Sequence, residues 1–91
     1  MRRVRVKIYG RVQGVFFRAN TKRLADEVGV KGWIRNCEDG TVEAVFEGED
    51  KAVEKMIKWC HKGPPLARVE KVKVNEEKFK GEFKDFRIIY F

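Results

Sequence analysis

Arg18 and the stretch that leads to it, Tyr9 to Arg18 (YGRVQGVFFR), are where this chain gathers groups able to hold an anion. Gly10 and Gly14 can adopt positive φ and let a bound group approach the backbone closely. A helix beginning near Phe17 would leave the N–H groups of its first turn without intrahelical acceptors, aimed at that group. Arg18 places a cation in or beside that turn, where the helix dipole disfavours it by roughly 0.3 kcal/mol or more, and a bound anion reverses the penalty. The loop lacks a GKS or GKT ending, so it is not the nucleotide P-loop, in which lysine meets phosphate and a hydroxyl meets magnesium. It also lacks any Cys, Ser, Thr, Asp or His able to attack phosphorus. Phosphoryl chemistry here would therefore use water and form no covalent enzyme intermediate. Spacing alone leaves a second reading open, an exposed arginine in an ordinary glycine turn.

The flanking residues say what positions this loop. Val4, Val6 and Ile8 alternate with Arg5, Lys7 and Tyr9, the period of a strand with one buried and one wet face. Phe17, Leu24, Ala25 and Val28 recur at helical spacing up to Gly29, a C-terminal cap. Trp33 to Asn36 reads as a second strand, and Val42, Ala44 and Phe46 mark a third, with Asp39 and Gly40 turning a hairpin between them. Val53, Met56, Ile57 and Cys60 stripe a second helix that starts near Gly48 to Asp50 and stops at Gly63, Pro64 and Pro65, with Glu54 and Lys58 placed to pair on its outer face. Val72 and Val74 define a fourth strand, residues 76 to 85 a charged surface loop, and residues 86 to 91 a short terminal strand. The order βαββαβ predicts an α+β, ferredoxin-like split βαβ fold: an antiparallel sheet with two helices on one face, plus the terminal strand.

Ninety-one residues imply one domain, 1–91. There is no apolar run near 18 residues, and the basic N-terminus leads into an alternating strand, which points to a soluble cytoplasmic protein. Cys37 and Cys60 share no metal spacing with each other or with His61, so both are expected reduced, with no metal site; His61 suits the C-terminal end of a helix dipole. The net charge is +7, and residues 1 to 36 carry ten Lys and Arg against two acids. That field suits an acidic small molecule or nucleic acid, and also describes a merely solvated basic face. Charged residues make up 38% of the chain, against roughly 25% in an average domain. Serine is absent and amides are few, a bias similar to that of hyperthermophile proteins.

Two motifs carry a family resemblance. GRVQGVFFR (10–18), followed after a helix by GWIRNCEDGTVEAVFEG (32–48), resembles the acylphosphatase family over nearly the whole chain. The resemblance implies hydrolysis of the carboxyl–phosphate bond of acyl phosphates, giving a carboxylate and inorganic phosphate. It places the catalytic arginine at Arg18 and the catalytic asparagine at Asn36. It also assigns a main-chain phosphate cradle to Gln13, Gly14, Val15, Phe16, Phe17 and Arg18. Cys37 stands where the family often has threonine, and Phe16 where it often has cysteine. It further implies an acyl phosphate as substrate, phosphate as product and inhibitor, no metal or cofactor, no nucleic-acid or membrane partner, and a monomer.

Elementary chemistry agrees with that assignment. A guanidinium fork can take two phosphate oxygens while backbone amides take the others. An asparagine offers an amide oxygen and an NH₂ that can hold a water in line with the departing acyl oxygen. A leaving carboxylate, with a pKa near ~4, needs no general acid. Two other readings compete. An RNA-binding module on the same fold would use Tyr9, Phe16, Phe17 and Trp33, but Glu43 and Glu47 on the third strand would repel phosphate. A non-catalytic accessory domain would tolerate loss of Arg18 or Asn36, and both are present.

Overall fold

Val4, Val6 and Ile8 have no accessible surface in the computed structural model, which describes residues 1–90. The alternation that predicted a strand thus becomes an interior strand of a sheet, β1 (Arg2–Arg11). A loop leads from it to α1 (Phe17–Val28), then β2 (Lys31–Asn36), β3 (Val42–Gly48), α2 (Asp50–Lys62), β4 (Arg68–Glu77) and β5 (Phe86–Ile89). The sheet order is β4-β1-β3-β2-β5. β3 lies antiparallel between β1 and β2, so those two strands run parallel to each other and their C-terminal ends emerge at one end of the sheet. β4 completes the antiparallel part beside β1. β5 adds parallel to β2, with Ile34 opposite Ile88 and Arg35 opposite Ile89, which makes the full sheet mixed.

Both helices cover one face. Phe17 and Ala25 of α1 and Val53, Met56 and Cys60 of α2 join Val4, Val6, Ile8, Ile34, Val42, Ala44 and Phe46 in a single core. Burial pushes the Cys60 thiol up, away from thiolate formation, and Cys37 and Cys60 are both free. Gly29 ends α1 in the left-handed region, φ 81°, with its N–H on Ala25 O at 2.9 Å. Gly63 ends α2 where a β-carbon would lie 2.8 Å from the Phe17 ring, so only glycine lets the two helices approach there. His61 bonds through Nδ1 to Ile57 O in the last turn of α2, the placement expected for it.

Three local expectations are revised. β2 begins at Lys31, two residues before Trp33, and β4 spans ten residues, taking Glu76 and Glu77 out of the predicted loop. Charged side chains hid β4 because it is an edge strand whose side chains reach solvent or ion pairs. Glu54 turns to Arg2, at 2.7 Å, instead of pairing along the helix with Lys58. The terminal strand is seen over Phe86–Ile89; residue 91 lies outside the described residues.

The face without helices is held by charge. Arg3, 4% exposed, reaches Glu47, Glu77 and Glu82, while Arg5 reaches Glu43 and Glu77 and Arg35 reaches Glu43. Trp33 lies between the guanidinium groups of Arg5 and Arg35, at 5.6 and 5.5 Å, and Tyr9 between Lys7 and Lys71. Burial works to raise the Glu47 carboxyl, but the Lys80 and Gly81 N–H groups and Arg3 more than offset it and hold it below its usual range. The same opposition, with Arg35 and Arg5 against burial, lowers Glu43.

Candidate active site

The loop between β1 and α1 is shaped by a bulge and two buried valines. The β1–β4 register shifts between Tyr9 and Gly10. Gly10 sits at φ 122°, where a β-carbon would fall 2.2 Å from Arg68 O, so this turn away from the sheet requires glycine. Val12 and Val15, 1% and 2% exposed, then anchor the loop in the core. Gln13 ties it sideways, its Nε2 donating to Cys37 O at 2.8 Å and Thr41 O at 2.9 Å across the β2–β3 hairpin. That hairpin is itself firm. The Thr41 hydroxyl, the Thr41 N–H and Lys7 converge on Asp39 and bring its carboxyl down to about 2.

Gly14 (φ 73°) and Phe16 (φ 65°, ψ 25°) both take the left-handed conformation, and Phe16 is the non-glycine residue that does so among the described residues. A bulky residue there is strained, a cost of order 1–3 kcal/mol that surrounding structure must impose. Alternating left- and right-handed residues turn successive N–H groups to one side, forming an anion-binding concavity. Phe16 is also the N-cap of α1, with no side-chain cap bond and no acidic residue in the first turn. The ladder opens with Asn20 N to Phe16 O at 3.2 Å, and Asn20 Nδ2 adds a bond to the same carbonyl at 2.9 Å. The N–H groups of Phe17, Arg18 and Ala19 precede that first ladder bond and have no intrahelical acceptor.

Arg18 and Asn36 line one cleft of about 240 Å³, together with Gly14, Phe16, Ile88 and Tyr90. Arg18 enters from the first turn of α1, and its guanidinium stacks over the Tyr90 ring, 5.0 Å from the centroid. A ring takes none of the guanidinium's N–H hydrogen bonds in the plane of its fork, which can still meet an anion. Asn36 enters from the C-terminal end of β2, where the backbone pairs with Val42. Its Oδ1 is buried and has no protein hydrogen-bond partner among the described residues. Buried polar atoms are nearly always bonded, so an orphaned acceptor beside a cleft marks a place for a polar ligand or water.

Of the residues named from the sequence, Gly14, Phe16, Phe17, Arg18 and Asn36 line one cleft at the end of the sheet, while Val15 is buried in the core and Gln13 faces the β2–β3 hairpin. Three contributions escaped the sequence reading, the Gln13 side chain, Tyr90 and Ile88. Gln13 was expected to offer its backbone, yet its side chain is what fixes the loop to the hairpin; its isolation as the loop's one amide was the available signal. Tyr90 and Ile88 reach the cleft because β5 runs parallel to β2, a long-range pairing that no local pattern discloses. Phe17 fills the core against Trp59, and Phe16 alone of the loop's aromatics faces the opening. Among the described residues no group of three His, Cys, Asp or Glu is placed to hold a metal ion, and no helix is long and apolar enough to cross a membrane.

Comparison with known proteins agrees with this geometry. The acylphosphatase family model matches residues 4–88. An acylphosphatase of Rubrobacter xylanophilus is 56% identical over 87 residues, covering 96% of this chain and 79% of its own. One of Roseiflexus sp. is 60% identical over 90 residues, 99% of this chain and 97% of its own. The crystal structure of the Bacillus subtilis acylphosphatase superposes with a TM-score of 0.94 at 33% identity, covering 99% of this chain and 100% of that one. With the family matched over both motifs and the fold matched over its full length, the chain belongs to the acylphosphatase family, hydrolases of the carboxyl–phosphate bond.

Proposed function

We propose that the cleft between Arg18 and Asn36 hydrolyses acyl phosphates by direct attack of water on phosphorus, without metal or cofactor. The phosphoryl oxygens accept hydrogen bonds from the N–H groups of residues 13–18 and from the Arg18 fork. Asn36 holds the water opposite the acyl oxygen. As the water oxygen bonds to phosphorus, the bond from phosphorus to the acyl oxygen breaks and its electron pair leaves on the carboxylate. The water's proton passes to a phosphoryl oxygen, so no protein base is needed. Phosphoryl transfer of this kind depends on positioning and electrostatic stabilisation, which this site supplies. Alkyl esters, whose leaving alkoxides are strongly basic, find no general acid here.

The observation that carries the reading is the buried, unpartnered Oδ1 of Asn36 in the cleft that Arg18 lines. The reading takes residues 1–91 as one domain acting as a cytoplasmic monomer on a small acyl phosphate, with inorganic phosphate as product and competitive inhibitor and no nucleic-acid partner. Support against RNA binding comes from the open sheet face, where Trp33 is already enclosed by Arg5 and Arg35 and the sheet carries Glu43 and Glu47. The test is phosphate release from benzoyl phosphate under excess chelator. Full activity with competitive inhibition by phosphate is expected; activity lost on chelation and restored by a divalent ion would refute the charge arrangement.

A further inference from the structure

Phe16 presents a puzzle that phosphate binding does not solve. Its ring is 69% exposed while its backbone is held at φ 65°. A phosphate loop needs only the N–H of this position, and glycine or asparagine would provide it with less strain. The ring adds nothing to the core. Its position does have a partner, because Tyr90, 73% exposed, lines the same cleft, as does Ile88 of β5. Two of the large hydrophobic side chains left exposed among the described residues thus flank one opening. Tyr90 is moreover fixed by the Arg18 guanidinium stacked on its ring. Any acyl phosphate seated on the loop N–H groups must extend its acyl end past this rim.

We infer that Phe16, Ile88 and Tyr90 form an acyl subsite that selects phosphates of uncharged apolar acyl groups, aromatic ones above all, over small or charged ones. The inference rests on the phosphate site proposed above and names what that site reads beyond phosphate. Among the described residues no acidic side chain and no cation other than Arg18 lines the rim, so a charged acyl group gains no counter-ion from them once Arg18 engages the phosphate. Covering roughly 60 Å² of an aromatic ring corresponds to about a tenfold gain in affinity.

The test uses inhibitors in which no bond breaks. In the wild-type protein, phenylphosphonate should inhibit about tenfold more tightly than methylphosphonate, since both share one anionic head and differ only in what meets the rim. Phe16→Asn tolerates the left-handed backbone and removes the ring, and should reduce that ratio to about threefold or less. Phe16→Leu should retain most of it. Tyr90→Ser, outside the loop, provides a second route to the same loss. The ratio of kcat/KM for benzoyl over acetyl phosphate should fall in parallel from wild type to variant, a comparison in which intrinsic leaving-group reactivity cancels. Equal inhibition by the two phosphonates in the wild type, or an unchanged ratio in both Phe16→Asn and Tyr90→Ser, would overturn the subsite. Failure of inorganic phosphate and both phosphonates to inhibit would instead overturn the phosphate-site reading, and the subsite with it.

Discussion

Replacing Asn36 with alanine should damage catalysis and spare stability, and the structure fixes both halves of that expectation. A buried acceptor that no protein group satisfies destabilises the fold by up to about 1–3 kcal/mol, and by less where a water from the cleft bonds it. Deleting Oδ1 removes that term, while the lost packing of a small side chain at a strand end gives back about 1 kcal/mol. The backbone pairing with Val42 is untouched, because it does not involve the side chain. For a domain of this size 1 kcal/mol moves Tm by about 4–8 °C, so a net change between about −1 and +2 kcal/mol should move Tm by no more than about 8 °C down or about 16 °C up. Turnover behaves differently. If Asn36 holds the attacking water, its loss should lower kcat about 10²-fold, or roughly 2.7 kcal/mol of transition-state stabilisation. The inhibition constant of phosphate should change less than threefold, since water is not part of the bound product. Asn36→Asp separates shape from charge: it keeps the size and should weaken phosphate binding by repulsion. Steady-state kinetics, phosphate inhibition and a melting curve decide the matter. A normal kcat in Asn36→Ala, or a Tm lowered by more than about 8 °C, would refute the role assigned to this residue.

Arg18→Ala should weaken phosphate inhibition and kcat together, by about 10²-fold or more in kcat/KM, and Arg18→Lys should recover little because an ammonium lacks the fork; full rescue by lysine would show that only charge matters. Gln13→Leu removes the bonds to Cys37 O and Thr41 O, at about 1 kcal/mol each. Tm should drop by roughly 8–16 °C and phosphate affinity should fall as the loop loses its tie to the hairpin; unchanged phosphate inhibition would deny that Gln13 positions the loop. The lowered carboxyls of Glu43, Glu47 and Glu77 contribute stability that is fully present above the unfolded carboxyl pKa near ~4.3 and is lost as pH falls through their folded values. Tm should therefore be flat from about pH 5 to 8 and decline below about pH 4, and Glu47→Gln should lower the plateau and shallow the acid limb; an acid limb of unchanged slope would remove Glu47 from the account.

Elements whose side chains alternate between core and water were legible in the sequence. Val4, Val6 and Ile8 announced β1, and the helix stops at Gly29 and Gly63 fell where the capping chemistry placed them. β4 was only half visible: Val72 and Val74 alternate in its middle, while the charged residues that flank them on this edge strand, Arg68, Glu70, Lys71, Glu76 and Glu77, give no apolar period to detect. Charge pairing misled for a related reason. Spacing offers Lys58 to Glu54, while the tertiary structure offers Arg2, and nothing local ranks the two. At the site, the residues with chemistry of their own, Arg18 and Asn36, could be named from motifs. Gln13 and Tyr90 act through contacts 24 or more residues away along the chain or through a parallel strand pairing, so their roles appear only once the sheet is assembled.

The charge asymmetry of the first 36 residues looked like a broad field for anions, and the structure reduces it to a local device. Arg2, Arg3, Arg5, Lys7, Lys22 and Arg35 all pair with carboxylates, most of them on the sheet face away from the helices. Those pairs tie together the strands on the face that the helices leave open, which is a structural task and cancels the charge of the cations that take part. Arg18 has no carboxylate partner among the described residues, only the Tyr90 ring, which cannot neutralise it. A cation left so, in the first turn of a helix whose dipole disfavours it, costs stability that a phosphate bound as proposed would recover. Of the ten Lys and Arg in the first 36 residues, Arg11, Arg18, Arg23 and Lys31 form no ion pair with a carboxylate among the described residues, and of these four Arg18 is the one that lines the cleft, so the proposed phosphate site draws on Arg18 and not on the basic segment as a whole.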